Sequence, residues 1–323
     1  MLLGTHLYLT AILRFPQRYL LKALKLYFVK DHTDKGDISP FSSLMVALAA
    51  NIGAGNIIGV GVAIAAGGPG AVFWCWLTGI LGMATRYSEG LLAIKYRVEN
   101  KDGNMSGGPM FVLERGLNSK WLGTAFAVFT AIAAFGIGNL TQGNAAAEQL
   151  HHAFSIPFWG TAAVLTALTA LVMLGGIQGI ARVCAFFVPF MAVIYIMGCL
   201  YILTIQAEYI FPAIRYILDC AFTGEAAAGG AAGAAVMAAM RTGVARGLFS
   251  NEAGLGSAAI ASAAAQNRNP VRQALISSSG PFWDTVIICA LTGIVLTTSI
   301  IAHPDISCTD GPRLTTLAFS KIP

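Results

Sequence analysis

From Ile38 to Thr85 the chain carries no charged side chain for 48 consecutive residues. About 20 apolar residues in helical conformation span a bilayer core, so this run holds two spans with a tight turn at Gly67-Gly68-Pro69-Gly70. The first span contains Gly53, Gly55, Gly59 and Gly61, with Asn51 and Asn56 at its middle. Glycine weakens a helix by about 1 kcal/mol relative to alanine, and amides at bilayer depth are costly without partners. Two readings follow. The glycines let neighbouring backbones approach closely, or the helix is interrupted near the midplane and its freed backbone groups face a ligand. A phosphate-cradling loop is excluded: Gly53-Ala54-Gly55 opens a GxGxxG pattern, but Ile58 stands at its sixth position and no strand–helix context surrounds it.

The whole chain is 56% hydrophobic and 11% charged, which is an integral membrane composition. The six cysteines form no CxxC pair, so neither a metal site nor a disulfide framework is indicated. His151-His152 stands without other ligands nearby and reads as an interfacial loop. Met1 to Leu13 is apolar but too short to span, lacks a signal-peptide cleavage pattern, and looks like the tail of a longer helix. Arg14 to Lys35 supplies six basic residues and reads as cytoplasmic. Seven spans then follow, at about 44–66, 71–94, 121–147, 158–174, 183–205, a broken sixth within 226–266, and 275–301. Arg182 falls in a short inner turn, and Arg215 in a connecting segment outside. Under this layout the 20 Lys and Arg divide as 14 inside, 3 outside and 3 within spans. The bias fixes the orientation; the net charge of +5 itself indicates no nucleic-acid partner.

The sixth span contains RTGVARGLFSNEAGLGSAAIASAAA, Arg241 to Ala265. Glycines again punctuate it, and Ser250-Asn251-Glu252 places polar groups between them. Arg241, Arg246 and Glu252 would each cost about 2.5–3.5 kcal/mol at a helix centre, so they are expected to face the interior or water and to pair with one another. Span one runs outward and span six inward. Interrupted helices at equivalent places in oppositely oriented halves mark inverted-repeat secondary transporters, with substrate at the midplane.

Several long stretches carry a family resemblance. They are GGPGAVFWCWLTGILGMATRYSEGLLAIKYR (Gly67–Arg97), GGPMFVLERGL (Gly107–Leu117) and GVARGLFSNEAGLGSA (Gly243–Ala258), with Pro270-Val271-Arg272-Gln273 and Asp284-Thr285 later. The chain resembles the alanine or glycine:cation symporters, the sodium:alanine symporter family, from about Tyr8 to Phe319. Cys75 stands where the family usually has methionine, a mild exchange of soft apolar groups. The resemblance implies an all-α polytopic membrane protein with a leucine-transporter-like inverted-repeat fold and broken first and sixth core helices. Residues 1–40 would be a truncated N-terminal helix and basic cytoplasmic segment, 41–206 the first five-helix repeat, and 207–323 the start of the second. Family members continue for several more spans, so the last core helices, and half of one sodium site, are expected to be missing.

A small amino acid is a zwitterion, and the two broken helices suit its two ends. The helix resuming after Gly55 presents N–H groups and a positive dipole end to the carboxylate. Unwound carbonyls near Phe249–Asn251, with Ser250 or Asn251 oxygens, accept from the ammonium. Asn51, Asn56 and Gln142 supply amides, so the candidate substrate contacts are Asn51, Gly53, Ala54, Gly55, Asn56, Gln142, Phe249, Ser250 and Asn251. Glu252 and Asp284 are cation or gating candidates, as is Glu89 with Arg86. The inner loop with Gly108-Pro109 and Glu114-Arg115 is a gate by fold analogy. No nucleophile–base pair or metal-ligand set stands out, so catalysis has no candidate residues. The expected function is secondary transport of alanine or glycine across the cell inner membrane, coupled to sodium or protons. No cofactor is expected beyond the coupling ion, and the partners are the amino acid and the bilayer. A truncated, non-transporting membrane remnant is the alternative. The oligomeric state is not legible.

Overall fold

In the computed structural model, residues 2–29, 36–223, 232–306 and 311–321 are described. The chain opens with α1 (Leu2–Ile12), a 3-10 turn at Pro16–Tyr19 and the short α2 (Leu20–Leu26). Helix α3 (Pro40–Asn51) starts where Ser39 accepts the Ser42 N–H at 3.0 Å and Pro40 occupies the first helical position. It stops because Ile52 turns to extended backbone (φ −77°, ψ 103°) and Gly53 follows in the same region. Helix α4 (Ala54–Gly67) resumes at once and ends at Gly68, whose φ of +74° favours glycine. Helix α5 (Gly70–Lys95) then runs for 26 residues, about 39 Å at 1.5 Å per residue.

A two-stranded hairpin, β1 (Val98–Glu99) with β2 (Met105–Ser106), leads into α6 (Pro109–Gly116). Helices α7 (Lys120–Ala133) and α8 (Thr141–Phe154) are joined through a π-helical stretch, Ala134–Leu140. Then come α9 (Phe158–Leu174), α10 (Gly176–Ile205) and α11 (Ala207–Phe222). Helix α12 (Ala232–Asn251) breaks before α13 (Ser257–Ala263). The pair α14 (Pro270–Ser278) and α15 (Ala290–Ala302) flanks a second π-helical stretch, Phe282–Cys289, and α16 (Gly311–Ser320) follows.

The long α5 is the central strut: α1, α11, α12, α13 and α14 all pack against it. Its seam with α12 is tight because Gly247 faces it. A Cβ at Gly247 would lie 2.9 Å from the Cys75 carbonyl, so only glycine permits this approach. Helix α3 packs on α10, and α16 on α4.

Four helical stretches among the described residues are long and apolar enough to cross a membrane: Pro40–Gly67, Lys120–Phe154, Gly176–Ile205 and Pro270–Ala302. They divide by burial. Only 6% and 11% of the most apolar windows of the second and third are buried, against 56% for the first and fourth. The α7–α8 and α10 helices therefore present apolar side chains outward, while α3–α4 and α14–α15 fill the interior. Of the other expected spans, α5 and α12 are long but carry Arg86, Glu89 and Lys95, or Arg241 and Arg246, and α9 has 17 residues.

Five details depart from the sequence reading, the first being that His151 and His152 lie in the last turn of α8 rather than in a loop. Arg182 lies within α10 rather than in a turn, because the helix already starts at Gly176. The segment around Arg215 is helix α11, whose Glu208, Arg215 and Asp219 gave it the look of a loop. The seventh span is one helical run, Pro270–Ala302, that starts earlier than expected and carries a π-helical insert at Phe282–Cys289. Finally, the first broken helix resumes at Ala54, ahead of Gly55, because extended Gly53 already ends the break.

Candidate substrate site at two helix breaks

The two breaks face each other through buried polar contacts. The Asn51 amide at the end of α3 donates to the Asn251 carbonyl at the end of α12, at 3.3 Å. The side-chain oxygen of Asn51, Oδ1, is buried and has no hydrogen-bond partner among the described residues. Across the first break, the Ala54 N–H donates to Gln142 Oε1 at 3.1 Å, which ties the start of α4 to α8. Between these groups lies a cavity of about 110 Å³ lined by Ala49, Ala50, Asn51, Gly55, Gln142, Phe249, Ser250 and Glu252. A water needs only about 10–15 Å³ on this measure, so the space suits a ligand of a few heavy atoms.

The cavity is electrically asymmetric. On one side stands the N-terminal turn of α4, the positive end of its dipole. Arg246 adds to it, donating to the Gly55 carbonyl and lying over the Phe249 ring at 4.9 Å. The opposite wall is the last turn of α12, where carbonyls lack helical partners and the dipole is negative. Phe249, Ser250 and Asn251 are thus still helical, and the unwound residues are 252–256. The expected carbonyl face is present, presented by a helix end rather than by an unwound strand.

Not every candidate meets in this cavity. Asn51, Gly55, Gln142, Phe249, Ser250 and Glu252 line it. Gly53 and Ala54 form the break beside it, where a Cβ on Gly53 would sit 2.7 Å from Gln142 Oε1. Asn56 points elsewhere: its amide donates to Asp284 Oδ1 at 2.5 Å, and the carboxylate is fully buried. Ser250 Oγ lies 2.8 Å from Asp284 Oδ2 and 3.1 Å from Asn56 Oδ1, and its one proton can serve only one of them at a time. Thr285 also donates to Asp284, at 2.8 Å. Asn251 uses its side-chain oxygen Oδ1 to accept the Ala253 N–H at 2.9 Å. Ser250 therefore joins a small cavity to a closed oxygen-rich cluster.

The expected pairing of Arg246 with Glu252 is corrected. Arg246 turns to Gly55 and Phe249, and Glu252 accepts from the Ser257 hydroxyl. The second break is held instead by Glu89 of α5, whose Oε1 accepts the N–H groups of Gly254 (2.9 Å) and Gly256 (3.1 Å). Glu89 also lies 3.8 Å from buried Arg86. Sequence reasoning singled out that pair but not its carboxylate's grip on the second break, since nothing local links residues 165 apart. A second, wider cavity of about 630 Å³ lies on the far side of Gln142, against Ala54, Ile58, Tyr195 and Thr315. Gln142 lines both, so its side chain is the wall between them.

A multi-helix membrane protein with two helix breaks closing on a small polar cavity has the build of a solute carrier. The chain belongs to the sodium:alanine symporter family, whose family model matches residues 1–322. It is 49% identical over 330 residues to the sodium/alanine symporter AgcS of Methanococcus maripaludis, covering 100% of this chain and 72% of that protein. A Haemophilus influenzae protein known as an uncharacterized transporter is 51% identical over 324 residues, covering 99% and 70%. The Bacillus subtilis protein named as a probable sodium/glutamine symporter, GlnT, is 36% identical over 324 residues, covering 99% and 66%. Membership in this family makes the chain a membrane-embedded transporter of the amino acid:cation symport class, and not an enzyme.

Proposed function

We propose that the chain binds a small neutral amino acid, alanine or glycine, in the cavity between the two breaks, and couples its movement to sodium or protons. The cavity itself carries this reading. A zwitterion fits with its carboxylate toward the first turn of α4 and Arg246, and its ammonium toward Asn51 Oδ1 and the carbonyls ending α12. The space is too small for a long side chain, which favours alanine or glycine over the substrate in the name of GlnT. The oxygens of Asp284, Asn56, Ser250 and Thr285 offer the ligand type a hard cation prefers. Ser250 belongs to both groups, and so supplies a route by which ion and substrate sense each other. Glu252 is a gating group at the cavity edge.

The reading extends to architecture. Residues 41–206 form a first five-helix repeat and 207–323 the start of an inverted second one, in a leucine-transporter-like fold. Residues 1–40 precede them, with 14–40 on the cytoplasmic side of the cell inner membrane. The test is equilibrium binding of labelled alanine to the purified chain in liposomes, with sodium or with choline. Saturable binding that strengthens in sodium supports the proposal. Binding that survives Gly55→Leu unchanged would place the substrate elsewhere.

A further inference from the structure

Away from the substrate cavity, a crevice of about 390 Å³ lies between α2, α3, α10 and the Phe282–Cys289 stretch. One wall is a single stripe of α3 and its exit: Phe41, Met45, Leu48 and Ile52, spaced i, i+4, i+7 and i+11. Those eleven steps make roughly 16 Å at 1.5 Å per residue. Half of a hydrocarbon core of ~30 Å is about 15 Å. The crevice is therefore one leaflet deep, and its floor is Ile52, next to the first helix break. Among its lining side chains only Tyr27 and Trp283 carry polar atoms, and these bond each other at 3.3 Å. Such a space gives water no partners. It opens sideways past Val193, which is 55% exposed on an outward-facing helix.

The mouth has a definite charge. Arg18, Lys22 and Lys25 are all exposed and fall at i, i+4 and i+7, on one stripe of the 3-10 turn and α2. Leu21 and Phe28 on the same segment are 75% and 81% exposed apolar groups. A short helix exposing both basic and large apolar side chains lies in the membrane interface. Lys25 stands one turn before Phe28, which lines the crevice, and both side chains are exposed on neighbouring positions of this segment. Arg272 donates to the Val29 carbonyl and holds this segment against the start of α14.

We propose that this crevice binds one acyl chain of an anionic phospholipid, with the lipid phosphate held by Lys22 and Lys25. Hydrocarbon fills the leaflet-deep apolar slot, and the basic stripe selects the headgroup. The seated chain ends against Ile52 and Ile288, so it braces the first break and the stretch carrying Asp284 from behind.

Trp283 provides the readout, because bromines on an acyl chain quench tryptophan only on contact. The full chain and its Trp283→Phe variant are placed in phosphatidylcholine vesicles with rising fractions of brominated phosphatidylglycerol or brominated phosphatidylcholine. The difference between the two proteins isolates the Trp283 signal. Phosphatidylglycerol is expected to quench it with a preference of roughly fivefold or more, the weight of one lysine at an anionic surface. Replacing both lysines (Lys22→Gln with Lys25→Gln), which are exposed and spare the fold, should bring the two lipids to parity. Ala192→Phe, which fills the crevice from α10, should abolish Trp283 quenching by either lipid. Equal quenching by the two lipids in the unaltered chain overturns the proposal. So does a preference that outlives the lysines, or quenching that Ala192→Phe leaves intact.

Discussion

Where α3 gives way to α4 the chain leaves the helix for two residues, Ile52 and Gly53; where α12 gives way to α13 it does so for five, Glu252 to Gly256. The short break needs no left-handed residue, and it is crowded. A Cβ on Gly55 would lie 2.7 Å from Arg246 Nη2, and one on Gly53 as close to Gln142. The long break uses positive φ at Glu252, Gly254 and Gly256, and a Cβ on Gly254 would meet nothing within 4 Å. One is held by the fit of side chains from α8 and α12; the other is closed by local bonds at Asn251 and Glu252 and tied to α5 by the Glu89 carboxylate. The difference shows where specificity and where movement can reside. A close-fitted break defines a shape, whereas a wide loop tied at one point can be released at that point.

The largest expected effect tests that tie. Glu89→Ala removes the acceptor of the Gly254 and Gly256 N–H groups and strands Arg86, which is 2% exposed. Breaking a buried pair from one side costs about 3–5 kcal/mol. Thermal unfolding in detergent should shift accordingly, and hydrogen exchange should rise selectively over residues 252–256. A loss below about 1 kcal/mol, within the range of exposed pairs, would show that something other than Glu89 holds the second break.

Next comes the direct contrast between glycines. Gly55→Leu overpacks the first break at a cost of about 1–3 kcal/mol or more, and alanine affinity should fall by ten- to a hundredfold on that scale. Gly254→Ala has room for its methyl group but pays the left-handed backbone, about 1–2 kcal/mol of stability, with alanine affinity close to unchanged. Comparable losses of affinity in both would erase the division between a shaped break and a tied one.

Ser250→Ala is intermediate. It leaves Asp284 and Asn56 short of a donor in a fully buried cluster, a loss of about 1–3 kcal/mol. Because Ser250 also lines the cavity, sodium should cease to strengthen alanine binding while weak sodium-independent binding persists. Titrating alanine at several sodium concentrations reads this out. Unaltered sodium dependence would remove the serine from the coupling.

The smallest effect lies off both breaks. Lys321 bonds Asp305 at 2.5 Å and holds its fully exposed carboxylate below the ordinary carboxylate range. The pair's small contribution is complete above the ordinary carboxylate pKa and fades as pH falls through the depressed value. Lys321→Met should leave alanine affinity unchanged at any pH, and so serves as the reference for the other variants.

The elements legible in the sequence were those with local punctuation. Pro157 and Gly175-Gly176 bound helix α9 at Phe158–Leu174 in sequence and structure alike. The first break was found within two residues, because Asn51, Gly53, Gly55 and Asn56 cluster there. Helix α11 was hidden by its charges and by Pro212, and the π-helical stretches leave no residue signature. Within the site, residue types were easier to foresee than their partners. Asn56 serves Asp284, 228 positions away, and Arg246 reaches a carbonyl 191 positions away. No periodicity encodes such distances; only the packing of α4 against α12 and against the Phe282–Cys289 stretch creates them.

That packing bears on how the chain is made. Helix α12 is not among the helices apolar enough to enter the bilayer on composition alone, since it carries Arg241 and Arg246. Arg246 finds its partner on α4, and Gly247 its slot on α5. Both hosts are synthesised well before their guest: Lys95 ends α5, and α12 begins at Ala232. At the usual 5–20 residues per second, that interval lasts roughly 7–30 s. Throughout it the glycine-lined groove of α4 and α5 stands in the membrane without the helix that completes it. Biogenesis of this carrier therefore includes an interval in which the seat that α12 later takes is not yet filled by its own helix.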